Sequence, residues 1–317
     1  MSGFTEQQVD QWREHGWVLL PGLVPADEVD AALDDLWKIF PRPEEFHQGT
    51  GGERQAAFLD GADERGLFGK RQPPPDGLAF RSEQFLGRSL FPFGGSNRLN
   101  RLTVHPNVVG FAEAALGSED LRIYQMALWA KYTGVANYDQ PLHQDHNHSV
   151  VPPRMEPGWW FMEGFLYLSD VDEAVAPTHA VSVLDSGGDV EVGTRSIEDF
   201  PELYAGEKAA VGPRGSYLAY RPDVWHRGVN LTQPGGARFL LGLSFKLGQQ
   251  DWVGYENVQS RSTAKRFVRF VESCSPRELA LFGVPLPGHP YWNRQTLDAM
   301  AARYPGLDLG PWLEANH

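Results

Sequence analysis

The chain has 317 residues, 41% of them hydrophobic and 12% aromatic, which is ample for a sizeable core and excludes a disordered polymer. Against 28 basic residues stand 41 acidic ones, a formal charge of -13, the wrong sign for tracking nucleic-acid phosphates or anionic lipid headgroups. Cys274 is the single cysteine, which rules out an internal disulfide or a thiolate metal cluster and fits a reducing compartment.

In chain order, Thr5 and Gln8 make a capping-box pattern ahead of a short helix that runs to about Glu14 and is stopped by His15-Gly16. WVLLPG at 17–22 reads as a short buried strand. PADEVDAALDDLWKIF follows as a helix, with Pro25 near its start and Val29, Leu33, Leu36, Trp37 and Phe40 on one face. Residues 41–97 are an irregular excursion of Gly, Pro, charge and Phe, a candidate lid or insertion. From about 98 onward, aromatic and β-branched runs alternate with turn residues: LRIYQMALWAKY at 121–132, WWFMEGFLYLSD at 159–170, GSYLAYRPDVWHRGVN at 215–230 and ARFLLGLSFKL at 237–247. These predict an antiparallel barrel or jelly roll with helices outside it, and neither a GxGxxG fingerprint nor a P-loop supports a βαβ sheet. Residues 262–317 return to helix, with a second capping box at Ser275-Pro276-Arg277-Glu278 and a last short helix at TLDAMAARY. The expectation is one domain over 1–317, with 262–317 a helical C-terminal extension. The start of the chain is polar and acidic, unlike a signal peptide, and no apolar run is long enough to span a bilayer, so the expected location is cytoplasmic.

The stretch DQPLHQDHNHSV at 139–150 gathers three histidines and two aspartates. On extended backbone His143 and Asp145 share a face and can aim an imidazole and a carboxylate at one point. His226, at the end of a predicted strand, is the candidate third member of a two-histidine, one-carboxylate facial triad. His-x-Asp alone also fits an ordinary polar loop. His146 falls on the other face, and His148 shares it only if the extension continues; both read as substrate-facing or as plain loop residues. Arg238 opens the apolar run RFLLGLSF, where an unpaired charge is expensive and a planar anion held bidentately would satisfy it. An internal carboxylate or water would serve as well.

The sequence resembles the phytanoyl-CoA dioxygenase family of Fe(II)/2-oxoglutarate-dependent oxygenases. The resemblance is carried by PLHQDH at 141–146, FLYLSDVDE at 165–173, APTHAV at 176–181, GSYLAYRPDVWHRGVN at 215–230, Arg238, and the opening HGWVLLPGLVPADEVDAAL at 15–33. It implies a mainly β fold, a double-stranded β-helix (jelly-roll, cupin-like) core with flanking α-helices. It implies Fe(II) on His143, Asp145 and His226, and 2-oxoglutarate held by Arg238, twelve residues past His226, with Gln125, Lys131 and Thr178 as further contacts. O2 is the other cosubstrate, and His146, His148 and Trp225 are candidates to meet a small-molecule substrate. The stretch EAVAPTHAVSVLDSG departs from the family's usual Gly-Pro and Pro-Gly-Ser-His pattern, so His179 receives no metal role. Asp145 favours hydroxylation over halogenation. The expected activity is hydroxylation of an unactivated C–H bond in a small metabolite or natural-product intermediate, by a monomer or homodimer, with release of succinate and CO2. The alternatives are a cupin-like metal oxygenase that does not use 2-oxoglutarate and a non-catalytic jelly roll that binds a small molecule.

Overall fold

The structure, a computed structural model, describes residues 3–56, 88–134, 139–145, 148–149, 153–188, 193–254 and 265–315. Its first helix, Glu6–His15, starts on the full Thr5/Gln8 capping box and ends at Gly16, which is left-handed at φ 81. A Cβ at Gly16 would also come within 2.7 Å of Val183 and Val224, so conformation and space both demand glycine there. This stop delivers the chain directly into strand β1, Trp17–Leu20.

The remaining strands are β2 (Arg88–Leu90), β3 (Leu121–Tyr132), β4 (Leu142–His143), β5 (Glu163–Tyr167), β6 (Thr178–Ala180), β7 (Thr194–Arg195), β8 (Lys208–Ala209), β9 (Tyr217–Tyr220), β10 (His226–Gly228) and β11 (Ala237–Leu247). They form a six-stranded sheet ordered β1-β9-β5-β11-β3-β2 and a five-stranded sheet ordered β7-β4-β10-β6-β8, antiparallel throughout. This is the jelly-roll core with flanking helices.

Alternation along β11 sorts its two faces. Phe239, Leu241, Leu243 and Phe245 pack outward into a core shared with Leu36, Phe111, Phe270, Leu281 and Trp312 of the helical layer. Leu240 turns inward against Tyr167, Leu218, Tyr220, Val224 and Ala180, and so joins the two sheets. Arg238, Gly242 and Ser244 fall on that same inner face. The C-terminal helices therefore share the outer core with the strands, and the backbone of Ile123 bonds that of Leu281 directly at 2.9 Å.

Several helices escape the sequence reading, two of them informative. Pro106–Leu116 has proline at its first position, a His105 cap and Gly117 as its stop, signals masked by the strand-like VVGF within it. Gly310–Ala315 buries Trp312 beside Trp292. The flanks of the lid candidate are packed: Phe46 stacks on Tyr132 at 4.0 Å, and Phe91 and Phe93 are core residues. Its centre, 57–87, lies outside the described residues.

The pairing of β11 with β3 runs from Ala237↔Tyr132 to Ser244↔Gln125, then resumes at Phe245↔Ile123. Tyr124 is the extra residue of a β-bulge, a device that re-aims side chains. Its phenol turns into the barrel, where Gln125 also points.

Candidate metal centre

Strands β4 and β10 are neighbours in the small sheet, with His143 directly opposite His226. The two imidazoles consequently stand on one face, ring centroids 4.5 Å apart. Asp145 completes the group: its Oδ1 lies 3.8 Å from His143 Nε2 and its Oδ2 lies 3.2 Å from His226 Nε2. One ligand atom from each of the three can be chosen so that all lie within 4.8 Å of one another.

The distal ring nitrogens show what these histidines are set to do. His143 Nδ1 is 3.0 Å from the Pro141 carbonyl and His226 Nδ1 is 3.1 Å from the Val224 carbonyl. A carbonyl only accepts, so each Nδ1 carries a proton and Nε2 is the ring nitrogen turned to the shared point, where it can give its lone pair to a metal in exchange for any proton it holds. Burial would raise the Asp145 carboxyl, but the His226 and His143 imidazoles hold it well below the usual carboxylate range. Two imidazole nitrogens and one carboxylate oxygen are the donor set of a facial triad, so the residues fit a divalent first-row metal with open positions.

Tyr220, at the end of β9, donates its hydroxyl to Asp145 Oδ2 at 3.1 Å. Burial, and then the Asp145 charge, pushes this phenol well above its ordinary pKa, which keeps it a donor. Its cross-strand neighbour on β5 is Glu163, a carboxylate that is 1% exposed. Glu163 accepts from Tyr124, lies 2.6 Å from His148 Nδ1 and accepts from Ser244 at 2.8 Å.

Deeper in the barrel lies a cluster of opposite sign. Arg238 is 3% exposed; its Nη1 donates to the Ala176 carbonyl, and among the described residues its buried Nε has no hydrogen-bond partner. Lys131, its direct partner across β3, is 1% exposed and donates to the Val229 carbonyl. Burial, with the Arg238 charge adding to it, pulls the Lys131 amine down to about 6; burial pulls Arg238 to about 10. Thr178 belongs to the same region: it pairs with Gly228, two residues inward from His226 on the same face, and lies two residues past Ala176.

The structure thus brings His143, Asp145 and His226 together, and places Lys131, Thr178 and Arg238 in a second group. Gln125 joins neither. It is bonded to Ser244 at 2.9 Å and lies six residues from Lys131 along β3, about 20 Å at the usual strand rise. His148 sits on Glu163, and His146 lies outside the described residues. Trp225 is not where a substrate-facing reading puts it: next to His226 it takes the opposite face, packing with Leu142 and Val181 under Leu203 and Tyr204. Gln144 likewise points away, donating to the Asp223 carbonyl at 2.8 Å. His179 faces outward, 3.0 Å from Glu207, which also holds Arg227. Glu163 and Tyr220 were missed from sequence. Glu163 had a readable signal, a lone carboxylate inside the apolar run WWFMEGFLY, the same kind of anomaly that singles out Arg238.

The sequence pattern of the family described as Phytanoyl-CoA dioxygenase (PhyH) matches residues 12–181, and no curated protein matches the chain. Among solved structures, SnoK, a non-heme alpha ketoglutarate dependent carbocyclase from nogalamycin biosynthesis, superposes with TM-score 0.54 at 16% identity over 82% of this chain and 92% of its own. EctD from S. alaskensis gives 0.53 at 18% identity over 81% of this chain and 82% of its own. EvdO2 from Micromonospora carbonacea var. aurantiaca, complexed with 2-oxoglutarate, gives 0.50 at 16% identity over 80% and 98%. At such identities the likeness speaks for the fold. The family match covers more than half of the sequence, and the chain belongs to the phytanoyl-CoA dioxygenase family.

Proposed function

We propose that this protein is an Fe(II)- and 2-oxoglutarate-dependent oxygenase that hydroxylates an unactivated C–H bond of a small metabolite or natural-product intermediate, releasing succinate and CO2. The observation that carries the reading is the pairing of two unlike sites in one barrel. One is a His143/Asp145/His226 triad whose histidines each turn Nδ1 to a backbone carbonyl and Nε2 to the shared point. The other is the buried Arg238 guanidinium, whose Nε has no hydrogen-bond partner among the described residues.

In this reading the three triad side chains hold Fe(II), which when bound supplies the activation of O2 and the oxidising power for C–H cleavage. Arg238 takes the distal carboxylate of 2-oxoglutarate, and Lys131 and Thr178 border the same end. The carbonyls of Pro141 and Val224 keep the imidazoles oriented, and Tyr220 steadies Asp145. Because Asp145 occupies a ligand position, a halide has no vacated place there, which favours oxygenation over halogenation.

The test is anaerobic addition of Fe(II) and then 2-oxoglutarate to the apoprotein. A metal-to-cosubstrate charge-transfer band is expected, and small molecules that perturb it are substrate leads. Protein that takes up Fe(II) but develops no band with 2-oxoglutarate would leave the cupin-like oxygenase reading in its place. A second outcome of the same chemistry has a specific motive, since SnoK is a carbocyclase. Product mass separates the two: hydroxylation adds one oxygen, whereas oxidative ring closure removes two hydrogens.

A further inference from the structure

The metal carboxylate, Asp145, follows β4, and side chains of the opposite sheet hold two described residues there, Asp145 and His148. Tyr220 of β9 bonds Asp145 itself, at 3.1 Å. Glu163 of β5 bonds His148, three residues on, at 2.6 Å. Tyr220 and Glu163 are register partners on adjacent strands, so both ties spring from one spot on the large sheet.

Glu163 is itself over-determined. Tyr124, aimed inward by the bulge, donates to the same oxygen that His148 approaches, and Ser244 from β11 donates to the other. Ser244 also contacts Gln125 at 2.9 Å. A carboxylate accepts only, so the His148 Nδ1 must be the donor. Three strands of the large sheet thereby converge on one carboxylate that also holds an imidazole three residues past the metal ligand Asp145. An apolar residue at 163 would fill the core as well, so packing gives no reason for this buried charge.

We propose that Glu163 is a positioning residue: through His148, and with Tyr220 on Asp145, it holds this part of the chain to the large sheet and fixes the metal-binding carboxylate before metal arrives. The inference rests on the triad reading above. Partners that orient a metal ligand typically carry about 10–100-fold in metal affinity.

The experiment is Co(II) titration of the metal-free protein, without cosubstrate or substrate, following the visible ligand-field spectrum. Parent protein, Glu163→Gln, Tyr220→Phe and the double variant are compared. Expected are a Kd weakened about tenfold or more in each single variant and an altered spectrum, with the double variant losing less than the product of the two. A parent that binds Co(II) alongside a folded E163Q variant with the parent's Kd and spectrum overturns the clamp, whatever its effect on thermal stability. Should E163Q not fold, His148→Ala breaks the same bond from the loop side, and an unchanged Kd there overturns the clamp equally. A parent that does not bind Co(II) at all overturns the triad reading instead.

Discussion

At the metal end of the barrel, the carboxylates of Asp145 and Glu163 face imidazoles and hydroxyls on several sides. Deeper in, Arg238 and Lys131 stand side by side on β11 and β3, and among the described residues neither has a carboxylate within ion-pair distance. The fold completes the first group by itself. The second group is left with a buried guanidinium and a buried amine that no carboxylate among the described residues answers, which is sensible only where an anion arrives from outside. Glu163 is as buried as Arg238 and Lys131, so partnership is what distinguishes a scaffold charge from a ligand site.

The sharpest way to break that contrast is Arg238→Leu. Truncating one partner of a buried, hydrogen-bonded charge pair costs about 2–5 kcal/mol, so 2-oxoglutarate affinity should collapse by that amount. The ligand-free protein should move the other way, with a higher Tm, because an uncompensated charge has become an apolar core residue. Calorimetric titration and a thermal melt without ligand check the two halves. A large fall in the ligand-free Tm would mean that Arg238 already has its counter-ion inside the protein.

Ser244→Ala makes the complementary cut at the metal end. Ser244 is fully buried, and its loss removes one of the donors that Glu163 relies on. Hydrogen bonds to charged groups contribute about 1.5–3 kcal/mol, so global stability should drop by that much in a denaturant melt. Affinity for 2-oxoglutarate should stay at the parent value. A change in that affinity would show that the two charge groups are coupled.

Much of this was legible because it is local. His143 and Asp145 share a face by i, i+2 spacing alone, and the capping boxes at Thr5 and Ser275 form as their sequences specify. Arg238 announces itself as a charge in an apolar run. Trp225 could have been excluded from the substrate side by the same alternation that aims His226 inward. The missing parts are those that depend on register. Tyr220 meets Glu163 only because β9 pairs with β5 at that offset, and Tyr124 reaches Glu163 only because a bulge shifts β3 by one residue. Neither offset is encoded within either strand. Gln125 shows the converse: its strand was right, but its distance along the strand from Lys131 separates it from the cationic group.

The mildest expected effect is a pH slope at the cationic end. In the ligand-free protein the Lys131 amine is pulled down to about 6, by burial and then by Arg238, so at pH 7.5 it is largely neutral. A dicarboxylate bound beside it favours the ammonium form and raises its pKa. The complex then holds more protons than the free protein between those two pKa values. Affinity should accordingly be greatest below pH 6 and fall as pH rises above it, by up to about tenfold per unit, until the pKa of the complex is passed. Lys131→Met cannot take up the proton and should flatten the profile while leaving Arg238 in place. Proton uptake is measurable directly, by titrating 2-oxoglutarate in two buffers of different ionisation enthalpy at pH 7.5. Equal apparent enthalpies in both buffers would place Lys131 outside the anion's reach and leave Arg238 as the cation that answers it.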